Sequence, residues 1–457
     1  MALPEHSVSQ RLAGAFAGMP AGLPAAMTRV CDAVLIDVAG LCVAARNTAY
    51  VQAALRATAE AGPCTVIGHG GGFNVATAAL CNGTAAHGED YDDTFEGGPV
   101  HAGAVIIPAI LGAAEQHELS GSDVERGIAV GCEVMCRLCL VAPKRVHNAG
   151  FHPTAVFGAL GAAAGVSSAL RLSEAPWFNA LGIAGSMASG IIEYLAEGAW
   201  TKRMHPGWAA QAGYRAARMA QAGFNGPRTL FDGEHGFFHA FARSDGCDFG
   251  TMLDGAGTEW IAADIAFKPY ACGTMAHPYI DCARKLVAQG VAPGDVVSIE
   301  CKTAEGIVHR LWEPLAAKQN PLNSYAAKFS IPYAIAVGML RGDAGLVDYE
   351  ESVVHDPAVR ALAGKVRYIV DPDNPYPKRF TGHVRVKLKS GQEREASQGH
   401  FRGGREEPMS AETIESKFLA NCIYGGWGKD RAQAALAVLR GLRAAPRVEL
   451  AALRASG

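Results

Sequence analysis

A chain of 457 residues, 49% hydrophobic and 19% charged, can bury a sizeable core, and its length points to two or three domains. The formal net charge of -3, with no block of like charge, excludes a broad attraction to nucleic acid or acidic membranes. Most of the 12 cysteines fall in apolar helical patterns, which predicts reduced, buried thiols in a cytoplasmic protein.

The chain opens MALPEHSVSQRLAGAF, with Glu5 where an export signal wants a basic flank, so export is not indicated. Up to residue 266, Ala- and Leu-rich runs of helical length alternate with Gly, Pro or Asn, which predicts helices over 23–45, 75–91, 103–117, 123–141, 153–170 and 175–195. The apolar stretch 155–170 is built largely of Gly, Ala and Ser and stops at Arg171, so it suits close helix packing and not a membrane span. Cys132, Cys136 and Cys139 have the spacing of an iron–sulfur loop, but offsets of four and seven also mark one face of a core helix, and the helix is the reading adopted. After Phe267 the texture changes. Alternating β-branched runs at 296–305, 365–371 and 383–398, the last broken by the hairpin signal Ser390-Gly391, predict strands, with helices at 278–289 and 330–341 between them. From Ser410, an N-cap, the chain is helical again. The expected fold is mainly α: an all-α domain from residues 1–266 and 408–457, and a smaller α+β lid domain from 267–407.

Between His87 and His101 the sequence HGEDYDDTFEGGPVH carries five carboxylates beside an apolar run. If the preceding helix continues, His87, Asp90 and Thr94 share one face and line one pocket. A charged, solvated helix end is the plainer reading. A rival is magnesium binding, since Asp92-Asp93-Thr94-Phe95-Glu96 matches the first motif of all-α terpenoid synthases. The nearest second motif, 320–328, ends in Lys328 where an acid is needed.

His152-Pro153, His205-Pro206 and His277-Pro278 each precede a helical run, where composition alone gives roughly one such pair. Proline suits the first helical turn, so each histidine is expected at a helix N-terminus, where the dipole disfavours imidazolium and leaves a neutral base. Capping alone explains each one singly. Trp200-Thr201-Lys202-Arg203-Met204-His205 sets two cations before the second step, where a carboxylate or enediolate could be neutralised. GHGGG at 68–72 has no GxSxG partner, and the GxGxxG, Walker A and zinc-finger patterns are absent from the sequence.

The combination of NGTxxHxxDxDDT, GFHPT and KFSIPYA, with WTKRMHPGWAA, FKPYACGTMAHPYID and EPMSAETIESKF, resembles the MmgE/PrpD family over nearly the whole chain. The resemblance implies a large helical domain, a smaller α+β lid, a homodimer and no cofactor or metal. It maps pocket residues onto Asp90, Thr94, His101, His152, Lys202 and His277. The loop FEGGPV before His101 carries an extra residue relative to the family's decarboxylases, and the segment before His277 differs from its methylcitrate dehydratases.

The chemistry implied is proton transfer at carbon next to a carboxylate of a small polycarboxylate, without metal. In this reading Lys202 and Lys268 bind substrate carboxylates, His101 and His152 exchange protons, and His277 closes from the lid. Asp90 orients a histidine, while Thr94, Arg203, His205 and Tyr325 contact substrate. A lyase, dehydratase or decarboxylase, is the expectation, with a dicarboxylate epimerase as the alternative. A member that binds metabolites without catalysis is a further reading.

Overall fold

The contacts of the chain divide it into two units in the computed structural model, which describes residues 6–19, 22–244 and 246–455. One unit takes the chain up to Gly88, Asp92–Ile265 and the chain from Ser410; the other takes Glu89–Tyr91 and Ala266–Met409. The export reading rests partly on residues 1–5, which lie outside the described residues. No helix among the described residues is long and apolar enough to cross a membrane.

The first unit is helical: α1 (Ala25–Ala45), α2 (Val75–Gly88), α3 (Gly103–His117), α4 (Gly121–Val141), α5 (Pro153–Ala169), α6 (Glu174–Met187) and α7 (Thr201–Gln221). Every residue of α5 is buried, which its Gly, Ala and Ser content permits by letting neighbouring backbones approach. A Cβ at Gly165 would stand 2.6 Å from the Gly127 carbonyl oxygen of α4, and one at Gly207 in α7 would stand 2.1 Å from the Leu80 carbonyl oxygen of α2. Helices α2 and α7, both of which bear site residues, are therefore held at backbone contact. Cys132, Cys136 and Cys139 are buried on α4, as core packing requires.

The second unit contains α8 (His277–Ala288) and α9 (Ile331–Arg341). Its sheet, of strands β1 (Val296–Thr303), β2 (Val366–Val370), β3 (Gly382–Leu388) and β4 (Glu393–Gln398), runs in the order β2-β1-β3-β4. The β1/β2 pair is parallel, with Ile299 opposite Val366, and the other two pairs are antiparallel. The predicted hairpin is present: Gly391 takes φ 85° and Leu388 N donates to Gln392 O at 2.8 Å. The chain then returns to the first unit as α10 (Ala411–Tyr424) and α11 (Lys429–Gly441), with Ser410 Oγ accepting from Thr413 N at the start of α10.

Three sequence expectations need correction. The helix expected over 75–91 stops at Gly88, because Asp90 adopts the left-handed φ of 58°, which breaks the helical ladder. The run 175–195 breaks after Met187, where Ala188 turns extended. The region read as all-α also holds three short strands, Ala61–Cys64, Thr94–Phe95 and Ile265–Ala266.

Candidate active site

Because α2 ends at Gly88, His87, Asp90 and Thr94 do not share a helical face. The left-handed turn instead brings Asp92 back onto the helix end, where its Oδ2 lies 2.7 Å from His87 Nδ1. Both side chains are wholly buried. A carboxylate at that distance accepts a hydrogen bond from Nδ1–H, the tautomer whose lone pair lies on Nε2. That Nε2 is buried without a hydrogen-bond partner among the described residues. A histidine held by a carboxylate with its other nitrogen open is the arrangement of a general base.

His101 stands next to this pair, its ring centroid 4.9 Å from that of His87. Its Nδ1 is 2.7 Å from the Asp93 carbonyl oxygen and 3.6 Å from Asp92 Oδ2. Asp93 does other work. Its Oδ1 accepts from Gly103 N at 2.9 Å, securing the start of α3. Burial, then the neighbouring Asp92, push the Asp93 carboxyl up to about 8, against the lowering effect of the Gly103 amide.

His152, the residue before α5, completes the group: its ring centroid is 5.6 Å from that of His87. Its backbone N donates to Gly190 O at 2.9 Å and Pro153 fixes the first helical turn, so the ring is well anchored. His152 Nδ1 lies 3.1 Å from His205 Nδ1. Burial, then the neighbouring His87, His205, Lys202 and His101, hold His152 well below the ordinary histidine range, and burial first, then His87 and Lys202, push His205 down to about 4. Both rings are therefore neutral near pH 7, and one Nδ1–H donates to the other Nδ1. His205 lies one turn inside α7, which starts at Thr201, not at a helix N-terminus as the His-Pro step predicted. Half-buried Lys202, in the first turn of α7, is the cation whose charge reaches both rings. Arg203 packs over the Tyr50 ring at 4.4 Å, and Thr94 is half-buried in its short strand.

The remaining expected residues belong to the second unit. Lys268 Nζ donates to Asp90 Oδ1 at 3.1 Å and to the Asp90 carbonyl at 2.8 Å, and only 1% of Lys268 is exposed. The carboxylate bonded to His87 is Asp92, whereas Asp90 is paired with the lysine expected to bind substrate. Lys328 makes the same kind of pair with Glu89 at 2.6 Å. His277 is the first residue of α8, buried between the rings of Tyr270 and Phe401, each 5.3 Å away, with Nε2 3.1 Å from the Cys272 carbonyl. Tyr325 packs against Phe329 at 5.2 Å.

Among the described residues, the one set of His, Cys, Asp and Glu ligand atoms lying within 4.8 Å of one another is His87, Asp92 and His101. The acidic string of the magnesium motif does not converge: Asp92 is turned to His87, Asp93 caps α3 and Glu96 is exposed. His87 and Asp92 are the two residues of the cluster that the site assignment drawn from the sequence left out. A run of neighbouring carboxylates has no periodicity from which to choose between Asp90 and Asp92.

A mainly α-helical protein with histidine rings gathered beside one buried carboxylate is equipped for acid–base chemistry. The chain belongs to the MmgE/PrpD family: the MmgE/PrpD N-terminal domain matches residues 12–250 and the C-terminal domain matches residues 270–440. It is similar to the cis-aconitate decarboxylase of Homo sapiens, 31% identical over 365 residues that cover 75% of this chain and 72% of that protein. The Mus musculus cis-aconitate decarboxylase is 31% identical over 356 residues, covering 75% of this chain and 71% of that protein. The Aspergillus terreus cis-aconitate decarboxylase is 28% identical over 338 residues, covering 69% of this chain and 68% of that protein.

Proposed function

We propose that this protein is a cofactor-independent lyase that decarboxylates a small tricarboxylate of the cis-aconitate type. The observation that carries the reading is the His87–Asp92 pair with His101 and His152 beside it, in a chain whose relatives are cis-aconitate decarboxylases. Lys202 binds a carboxylate and stabilises charge as the C–C bond breaks. The electron pair left on carbon is quenched by a proton from His101 or His152. The shift of the double bond moves electrons only and needs no further proton; His87, held by Asp92, is the third imidazole placed to supply the one proton consumed.

Incubating the protein with 13C-labelled cis-aconitate in excess chelator is expected to release labelled CO2. Deuterium uptake from D2O with no CO2 and no new unsaturation would instead make it an epimerase, and water loss from a hydroxy acid would make it a dehydratase. Lys202→Ala is expected to lower kcat by at least ~100-fold with the circular dichroism spectrum unchanged. A wild-type kcat in that variant would remove Lys202 from the mechanism.

A further inference from the structure

A decarboxylation consumes a proton. One C–C bond breaks, its electron pair stays on the substrate carbon, and that carbon gains the proton, so the donor must be reloaded from solvent at every turnover. His152 is buried, yet a short path leads outward from it. His205, whose Nδ1 is 3.1 Å from His152 Nδ1, lines a cavity of about 600 Å³ whose walls also include Tyr194, Ile191, Met204 and Trp208. Ile191 and Trp208 are 61% and 42% exposed, so the cavity opens at the surface of the described chain. The Tyr194 ring edges both imidazoles, with centroids 5.9 Å from His152 and 5.8 Å from His205.

We infer that His205 is the proton port of the site, supplying His152 with a proton from water in this cavity during the chemical step, while the substrate pocket is closed; water of the emptied pocket restores the balance after product release. The inference rests on the decarboxylase reading for its proton balance. As His152 gives its Nε2 proton to the carbanion, the Nδ1 proton of His205 crosses to His152 Nδ1, and a cavity water protonates the other nitrogen of His205. The two rings end in exchanged tautomers. After product release, water in the emptied pocket protonates His152 Nε2 and the same wire runs backward, returning one proton to the cavity and restoring the starting state. His205 thus acts through His152 and positions a proton; it does not touch the substrate.

The test is chemical rescue. His205→Ala leaves a ring-sized hole at the cavity wall, and kcat for CO2 release is expected to fall at least ~50-fold with KM changed less than ~3-fold. Added imidazole should restore at least ~10-fold of the loss and saturate, whereas pyrrole, of the same shape without a basic nitrogen, should not. His205→Gln keeps the volume and a hydrogen bond to His152, so it should show the same loss without rescue. An undiminished kcat in His205→Gln, a loss confined to KM, or equal rescue by pyrrole would each overturn the port. If His205→Ala fails to fold by circular dichroism, His205→Gln decides. If the wild type releases no CO2 from cis-aconitate, the decarboxylase reading fails. The port is then scored by deuterium uptake at the carbon of whichever polycarboxylate the wild type exchanges, which His205→Gln should slow to a similar degree.

Discussion

Asp92 and Asp93 are neighbours with the same chemistry and opposite employment. Asp92 faces a histidine, and Asn in its place keeps the size but turns a charged acceptor into an amide that no longer stabilises a protonated His87. Asp92→Asn is expected to lower kcat ~100-fold or more with KM little changed, measured by CO2 release. Loss confined to KM would place Asp92 in binding instead. Asp93 is a stability residue. Its carboxyl is raised from 3.8 to about 8 in the folded chain, so the native state holds a proton that the unfolded chain gives up. That contribution is complete below 3.8 and is lost as pH rises through about 8. Its full size is at most about 6 kcal/mol. Thermal melts of the wild type should fall across this window, and Asp93→Asn, which keeps an acceptor for Gly103 N, should flatten the fall. Parallel curves would refute the assignment. From sequence, His101, His152, His205 and Lys202 were legible because each sits in a motif of distinctive composition. The division of labour between Asp90, Asp92 and Asp93 was not, since it depends on one left-handed residue.

At the level of elements, most helices were legible to within a few residues, because Ser, Pro and Gly punctuate them. Ser410 before α10, Ser330 before α9 and Pro153 at the head of α5 all mark the starts seen in the structure. The end of α2 was not, because Asp90 stops the helix where Gly or Asn is the usual signal. Helix spacing is set by residues that carry no chemistry. A methyl group at Gly207 would meet the backbone of Leu80 at 2.1 Å, with no flexible side chain to yield. Gly207→Ala is therefore expected to cost about 1–3 kcal/mol in denaturant unfolding. It should also lower turnover, because α7 carries Lys202 and His205. Unchanged stability would mean that α2 and α7 part without penalty.

Over the whole molecule, the composition break near Phe267 marked where the texture of the chain changes. It gave no sign that Glu89–Tyr91 is counted with residues 266–409. The reason is physical: the three residues are recruited by buried lysines far along the chain, Lys268 for Asp90 and Lys328 for Glu89. Removing one partner of a buried pair typically costs about 3–5 kcal/mol. A fragment of residues 266–409 alone leaves both lysines without these carboxylates and is expected to melt early or not to fold. The same fragment with Lys268→Met and Lys328→Met should melt at a higher temperature by circular dichroism, and no gain would show that the pairs are replaced by water at little cost.

The excursion of Glu89–Tyr91 is flanked by Gly88 and Asp92, and Asp92 is hydrogen-bonded to His87, the residue before Gly88. The segment therefore has a fixed gauge. One residue more or less between its ends would slacken or sever the bond that sets the tautomer of His87, whatever the inserted residue was. For anyone recombining members of this family, residues 87–92 form a single cassette that has to be exchanged whole, and a crossover placed at the apparent unit boundary inside it would cut the base from its carboxylate.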